Sequence, residues 1–381
     1  MKLKELVVLF NSYHESLYLV GGAVRDLLLA RPCNDIDLTT SCCPSKMISI
    51  ANNNKLKIDD SNSQYGTIIF KLADNNYEVT TYRQDIGIKD NRRPQKVVFS
   101  KDLKTDLSRR DFTINAICYD LVNNKVIDLI QGKKDLEDGL IRAIGNPKTR
   151  ISEDYLRIIR AYRFKYQLNF NFDQELLIIL RSMMKKLAYI SQERIRNEFL
   201  KIFLTDSLTP FSTIKELFDF FNFEINDLAI HRLKLLNLES NEYLYTLLLL
   251  FNNCEEVIKY NFIKKSKKEL LVLNKMKSEN ILNYSLADFY QANKKFKISI
   301  LFYYQYCLSG DNSYLKLLNR FTKASASFKL NFNAEDLKNY NINKKDYSKY
   351  LIRLENSVLT ARVNNNSEEL TNYLRSLLKL N

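Results

Sequence analysis

Two aspartates stand one residue apart in the segment NDIDLTT, residues 34–40. In an extended strand, residues i and i+2 share a face, so Asp35 and Asp37 project side by side about 6–7 Å apart. Carboxylates held that way repel each other unless a cation lies between them. Hard divalent ions resolve that repulsion with oxygen ligands, and Mg²⁺ favours one or two carboxylates together with substrate phosphates. Upstream, Gly21-Gly22 closes the apolar run LYLV and opens AVRDLLLA. Glycines let a backbone approach a ligand closely, and the N–H groups that begin a helix favour a phosphate. Arg25 adds a cation at the same place.

Three further segments carry chemistry. In RRDFT, residues 109–113, Arg109 and Arg110 suit phosphates and Asp111 suits ribose hydroxyls. In YEVTTYR, Glu78 is either a third carboxylate beside the metals or a half-buried strand glutamate paired with Arg83. In EDYLRIIRAYRF, residues 153–164, a wheel of about 100° per residue gathers Glu153, Asp154, Arg157 and Arg160 into an arc of about 120°. Tyr155, Ile158, Ile159 and Tyr162 occupy the other side, which predicts one amphipathic helix laced with i,i+3 and i,i+4 ion pairs.

Other chemistries are poorly supplied. The six cysteines have no paired spacing and there are only two histidines, His14 and His231, which excludes a Cys/His zinc site and disfavours histidine-based catalysis. The cysteines read as reduced thiols of a cytosolic protein. With 58 Lys+Arg against 44 Asp+Glu, a net charge of +14 and a pI near 9.2, the chain suits a polyanionic partner. No run reaches the roughly 18 apolar residues of a membrane span, and the first residues lack a secretory cleavage pattern, so a cytoplasmic protein that binds nucleic acid and not membrane is expected.

The elements that must position these residues divide by texture. Between about residues 15 and 130, short β-rich runs (SLYLV, DIDLTT, KLKIDD, GTIIFKLA, YEVTTYR, AICYDLV, KVIDLI) alternate with helical ones. Asp74-Asn75-Asn76 and Asn123-Asn124 are placed as hairpin turns. After Gly145-Asn146-Pro147, apolar residues recur at three- and four-residue spacing and strand-like alternation nearly disappears. The fold class is therefore α+β: a head of mixed sheet plus helices at 1–139, a helical neck at 140–205, and a helical body and tail at 206–381. Residues 84–100 are polar, with one glycine and one proline, and read as a mobile loop.

The order strand, Gly-Gly, helix, Asp-x-Asp strand resembles the polymerase-β-type nucleotidyltransferases. Downstream, YEVTTYR, DNRRPQKVVF, DLSRRDFTINAI, DLIQGKKDLEDGLIRAIG and ISEDYLRIIRAYRF follow in an order and spacing that resemble the class II tRNA nucleotidyltransferases, the CCA-adding enzymes, together with bacterial poly(A) polymerases. The resemblance covers roughly residues 16–205. It implies a head, neck, body and tail, with two Mg²⁺ ions on Asp35 and Asp37. It also implies triphosphate placement by Gly21, Gly22 and Arg25, and ribose recognition by Arg110 and Asp111. A base-reading face at Asp154 and Arg157, with Glu153 orienting the arginine and Arg160 beside them, completes the implied site. The implied substrates are CTP, ATP and a tRNA 3′ end, with basic helices beyond residue 190 holding the RNA backbone.

The base-reading idea has a chemical basis. Cytosine and adenine each present an amino donor beside a ring-nitrogen acceptor, whereas uracil and guanine present a carbonyl beside an N–H. An aspartate acceptor next to an arginine donor therefore suits C and A. In the resembling enzymes a loop at 84–100 is associated with the switch from C to A, and its full length here favours complete CCA addition. Addition of A alone, of CC, or of poly(A) stays open, as does a non-catalytic RNA-binding role.

Overall fold

The alternating segments of the N-terminal region form strands because one face of each buries apolar side chains while hairpin turns return the chain. In this computed structural model, residues 1–33, 36–89, 93–205, 207, 209–260, 262, 267–340 and 342–379 are described. The elements run α1 (Leu3–Ser12), β1 (Leu17–Val20), α2 (Gly22–Leu28), β2 (Asp37–Thr40), α3 (Pro44–Asn53), β3 (Lys57–Asp59), β4 (Thr67–Lys71) and β5 (Asn76–Thr81). They continue with β6 (Arg83–Lys89), β7 (Arg93–Phe99), α4 (Leu103–Ser108), β8 (Ile117–Asp120) and β9 (Lys125–Asp128).

Seven of these strands make one mixed sheet in the order β3-β4-β5-β2-β1-β8-β9. Only the β2–β5 pair is parallel, and its register sets Asp37 opposite Glu78. The antiparallel β1–β2 pair sets Val20 opposite Asp37. The sheet thus brings the end of β1, where the Gly-Gly turn begins, beside the carboxylate of β2. Val20, Leu107, Ala116, Cys118 and Ile144 pack into one of the cores beneath it.

Residues 84–100, read from sequence as a mobile loop, carry regular strands. They are taken up almost entirely by β6 and β7, which form a separate antiparallel hairpin. QDIGI and QKVVF show no clean alternation of polar and apolar residues, so the strand period that marks the main sheet is missing there, and it is the pairing of the two segments with each other that forms the strands. Pro94 is tolerated because both strands of a two-stranded sheet are edges. Residues 90–92 lie outside the described residues.

The helical part of the first unit contains α5 (Gly132–Glu137), β10 (Leu140–Ile141), α6 (Pro147–Glu153), α7 (Leu156–Leu168), β11 (Asn171–Phe172), α8 (Gln174–Met183), a 3-10 turn (Met184–Tyr189) and α9 (Gln192–Phe203). The single helix expected through Glu153–Phe164 is two helices. Asp154 is extended at φ −154° and ψ 106°, and its own Oδ1 accepts the Leu156 N–H at 3.0 Å. An aspartate that hydrogen-bonds its backbone two residues on offers the chain an alternative to the helical ladder, and here it ends α6 and starts α7. Asn146 caps α6 by accepting the Thr149 N–H at 3.0 Å, with Pro147 at the first helical position.

The chain divides into two compact units, Met1–Thr209 with Thr213–Leu217, and Pro210–Ser212 with Phe218–Asn381. The described elements of the second unit are all helical. They include Asp227–Leu235, Ser240–Leu250, Ser299–Ser309, Ser313–Ser327, Tyr347–Leu359 and Ser367–Leu378. Phe332, Leu337, Leu354, Leu370 and Leu374 form its C-terminal core. Among the described residues no helix is long and apolar enough to cross a membrane.

Candidate active site

Asp37, Glu78, Arg83, Arg109 and Arg110 converge on a cleft of about 230 Å³ at the end of the β1–β2–β5 segment of the sheet. Gly21 closes one side at φ +75°, where a Cβ would lie 3.4 Å from Arg110 Nη1 and 3.9 Å from Asp37 Oδ2. The turn, the guanidinium and the carboxylate therefore share one small volume, and only glycine adopts that backbone without strain. Asp35 lies outside the described residues. Among the described residues no group of three or more His, Cys, Asp or Glu side chains is placed to hold a metal.

Desolvation in the cleft, and then the neighbouring Asp37 charge, push the Glu78 carboxyl above its ordinary pKa, while Arg83 opposes them. Arg83 itself pairs with Asp85, Nε to Oδ1 at 3.3 Å. Glu78 is thus an exposed strand residue opposite Asp37, not a half-buried partner of Arg83, whose effect on it is through its field alone.

Arg109 and Arg110 share a single buried anchor. Asp106, fully buried, pairs with Arg109 Nη2 at 2.7 Å and Arg110 Nη2 at 3.3 Å, and it accepts from Thr39 Oγ1 at 3.2 Å. Sequence reasoning passed over Asp106, although its i,i+3 and i,i+4 spacing to the two arginines was a usable signal.

Asp111 is 7% exposed. It accepts from the Phe112 N–H at 2.8 Å, from Asn115 Nδ2 at 3.2 Å and from Arg160 Nε at 2.8 Å. Burial works against its charge, but Arg160 outweighs burial and holds the carboxyl well below the usual range. Asn115 Oδ1 in turn accepts from Arg25 Nη1 at 2.8 Å, and Arg25 also donates to Asp26 at 2.8 Å. Arg25 is buried, with donors directed to Asp26 and Asn115, and Gly22 lies beside it, a Cβ there being 3.6 Å from Arg25 Nη2. A continuous polar chain thus links α2, Asn115, Asp111 and α7.

On α7 the chain continues into buried Glu198 of α9, which holds Arg163 Nε at 2.7 Å and approaches Arg160 at 3.9 Å. The guanidinium carbons of Arg25, Arg160 and Arg163 lie 5.1, 5.7 and 4.2 Å from the centroid of the Phe164 ring, so one aromatic supports three cations. Neither Glu198 nor Asn115 was singled out from sequence, since Arg163 and Arg25, the partners that tie them to other elements, lie far away along the chain.

The helix break alters the ion pairing expected at the base-reading segment. Asp154 pairs with Arg194 of α9 through two nitrogens, at 3.1 and 2.7 Å. Arg157 pairs with Glu153, which also holds Arg150 at 2.9 Å. Arg150 and Arg157 both donate to the Arg109 carbonyl, at 3.1 and 3.5 Å. Asp154 and Arg157 are neighbours with separate partners, not one surface pair.

Residues 17–142 match the model of the poly A polymerase head domain. This segment is similar to poly(A) polymerase heads. Behind the head, residues 169–220 match the probable RNA and SrmB-binding site of polymerase A. The CCA-adding enzyme of Lactobacillus helveticus is 43% identical over 185 residues, which are 49% of this chain and 45% of that protein. The Staphylococcus epidermidis enzyme is 39% identical over 206 residues, 54% of this chain and 50% of its own length. The matched part spans about half the length of these curated relatives. The Bacillus stearothermophilus CCA-adding enzyme solved with CTP shares the fold with a TM-score of 0.77 at 23% identity, covering 100% of both chains. The Thermotoga maritima CCA-adding enzyme complexed with tRNA_CCA has a TM-score of 0.67 at 21% identity, covering 99% of this chain and 96% of that one. Mixed-sheet head and helical remainder alike thus follow the fold that the sequence motifs implied.

Proposed function

We propose that the chain is a template-independent tRNA nucleotidyltransferase that adds C, C and A to tRNA 3′ ends from CTP and ATP and releases pyrophosphate. The observation that supports this most is the convergence of Asp37, Gly21 and Arg110 on one cleft, tied through Asp111 and Arg160 to α7. Curated relatives named CCA-adding enzymes, and solved enzymes of that name bound to CTP, ATP or tRNA, support the same reading.

In this reading residues 1–139 are the catalytic head, 140–205 the neck that reads the nucleotide, and 206–381 the part that holds tRNA. Adjacent oxygen donors on Asp37 and Glu78, one with raised proton affinity, are a donor set that a hard divalent cation fits. Asp35 and Asp37 would hold Mg²⁺, with Glu78 beside them. When bound, the metal lowers the pKa of the attacking hydroxyl and offsets charge on the departing pyrophosphate. The protein's own contribution is positional. Gly21 and Gly22 leave room for the triphosphate, Arg110 faces phosphate, and Asp111 accepts from ribose. Arg25 acts mainly as a buried brace for Asn115 and Asp111. Asp154 and Arg157 present an acceptor and a donor to the incoming base, each fixed by its own ion pair.

Labelled tRNA lacking its last three nucleotides, incubated with Mg²⁺ and each nucleotide separately and together, tests the reading. CTP alone should add two nucleotides, and CTP with ATP should add three. Long tails from ATP alone would favour the second reading, a poly(A) polymerase, which the name of the head family keeps in view. No incorporation under any condition would overturn both.

A further inference from the structure

Tyr189 closes the 3-10 turn between α8 and α9 and is 73% exposed, the most exposed large apolar or aromatic side chain among the described residues. Lys185 and Lys186 precede it and are both exposed, and Lys186 Nζ lies 5.5 Å from the centroid of the Tyr189 ring. The turn packs against α7, the helix that carries Arg157 and Arg160. Arg194, in the first turn of the following helix α9, holds Asp154. An open aromatic ring beside two ammonium groups, on an element packed against the nucleotide-reading helix, has the parts of a stacking platform for unpaired nucleotides. Every base offers a π face to such a ring, and neighbouring lysines neutralise the phosphates.

We propose that Tyr189, with Lys185 and Lys186, stacks and holds an unpaired nucleotide near the 3′ end of the RNA substrate. This rests on the reading of the chain as an RNA-directed nucleotidyltransferase. The platform supplies affinity for the single-stranded end, and the lysines supply a sequence-independent contribution that weakens with salt.

Equilibrium binding to the full chain tests it with two RNA probes, a hairpin carrying a three-nucleotide unpaired 3′ extension and the same hairpin with a blunt end. Tyr189→Ala should weaken binding of the extended hairpin by roughly 5- to 100-fold, the range of one base–aromatic stack, and leave the blunt hairpin within about 3-fold. Tyr189→Phe, which keeps the ring, should stay within about 3-fold of wild type on both. Removing both lysines should weaken both probes and reduce the slope of log affinity against log salt by roughly 1.4 to 1.8. Equal affinity of Tyr189→Ala and wild type for the extended hairpin, or equal losses on both probes, would overturn the platform while leaving the nucleotidyltransferase reading intact. Failure of the wild-type chain to bind either probe would overturn both.

Discussion

Arg160 and Asp111 lie 49 residues apart and meet as an ion pair, with Arg160 Nε donating to Asp111 Oδ2 at 2.8 Å. The pair ties the RRDFT segment of the head to α7, so the parts proposed to face ribose and base are held by one contact. Replacing Arg160 with Met leaves Asp111 buried without its main counter-charge. Arg160→Met should cost about 3 kcal/mol of stability, read as a lower urea midpoint at unchanged slope. A midpoint within error of wild type would show that Asp111 is held by its neutral donors alone.

Glu15 gives the protein an acid-sensitive joint outside the cleft. It is 4% exposed and bonds Lys46 at 2.7 Å, Lys101 at 2.8 Å and Ser41 at 2.6 Å. Burial works against its charge, but hydrogen bonds from Lys101, Lys46 and Ser41 prevail and bring its pKa down from 4.5 to about 2. The folded state therefore releases the proton more readily than the unfolded one, and the stabilisation is fully present above pH 4.5 and lost as pH falls toward 2. Glu15→Gln should lower Tm at pH 7, and the difference from wild type should shrink steadily below pH 4.5. A difference independent of pH would assign Glu15 a packing role only.

Glu78 carries the opposite sign. Its carboxyl is pushed upward, so the folded state holds that proton more tightly than the unfolded state, and ionisation as pH rises costs stability. Glu78→Gln should accordingly be as stable as wild type or more stable at pH 7. If Glu78 helps to hold a cation, nucleotide addition by this variant should fall by about tenfold or more and lose the rise in rate that accompanies deprotonation. Denaturant midpoints and pH–rate profiles measured on the same preparation separate the two effects.

Glu153 governs the direction of Arg157. Because Arg157 pairs with Glu153 and Asp154 pairs with Arg194, reversing Asp154 and Arg157 alone would set an arginine against Arg194 and an aspartate against Glu153. That double variant should be impaired for all four nucleotides. The cleaner test is Glu153→Gln, which keeps the shape and removes the charge. It should reduce the preference for CTP over UTP by roughly tenfold while RNA affinity stays within about 3-fold. Unchanged discrimination in single-turnover assays would remove Glu153 from the reading face.

The seven-stranded sheet was legible because its signal is local: alternation of period two bounded by Asn, Asp and Gly turns marks strands wherever they pair. Asp37 and Gly21 came together as the motif order implied, since adjacent β1 and β2 leave them little freedom. The break at Asp154 was hidden because periodicity reports which residues face inward and carries no signal for a side chain that bonds its own backbone. Helical spacing made the Glu153–Arg157 contact readable at i,i+4. It equally suggested an i,i+3 pair between Asp154 and Arg157, and tertiary structure replaced that pair with Arg194 from 40 residues away. Asn115 and Glu198 share a further obstacle: their ties to Arg25 and Arg163 are made by folding, and partners brought together by folding carry no spacing.

The hairpin of β6 and β7 stands apart from the seven-stranded sheet, and two strands alone are marginally stable in water. Its base is fixed where Tyr82 N–H reaches the Thr40 carbonyl and Ser100 N–H reaches the Tyr82 carbonyl, each at 2.8 Å. Its flank is fixed where Asp85 meets Arg109 and where Arg83 donates to the Tyr65 carbonyl. Amide deuterium exchange in these strands should then proceed through a local opening whose free energy is set by those few contacts. Variants that weaken the whole molecule would speed exchange in the β1–β2–β5 sheet and leave the hairpin's rate nearly unchanged, so that the two sheets behave as separate cooperative units within one chain.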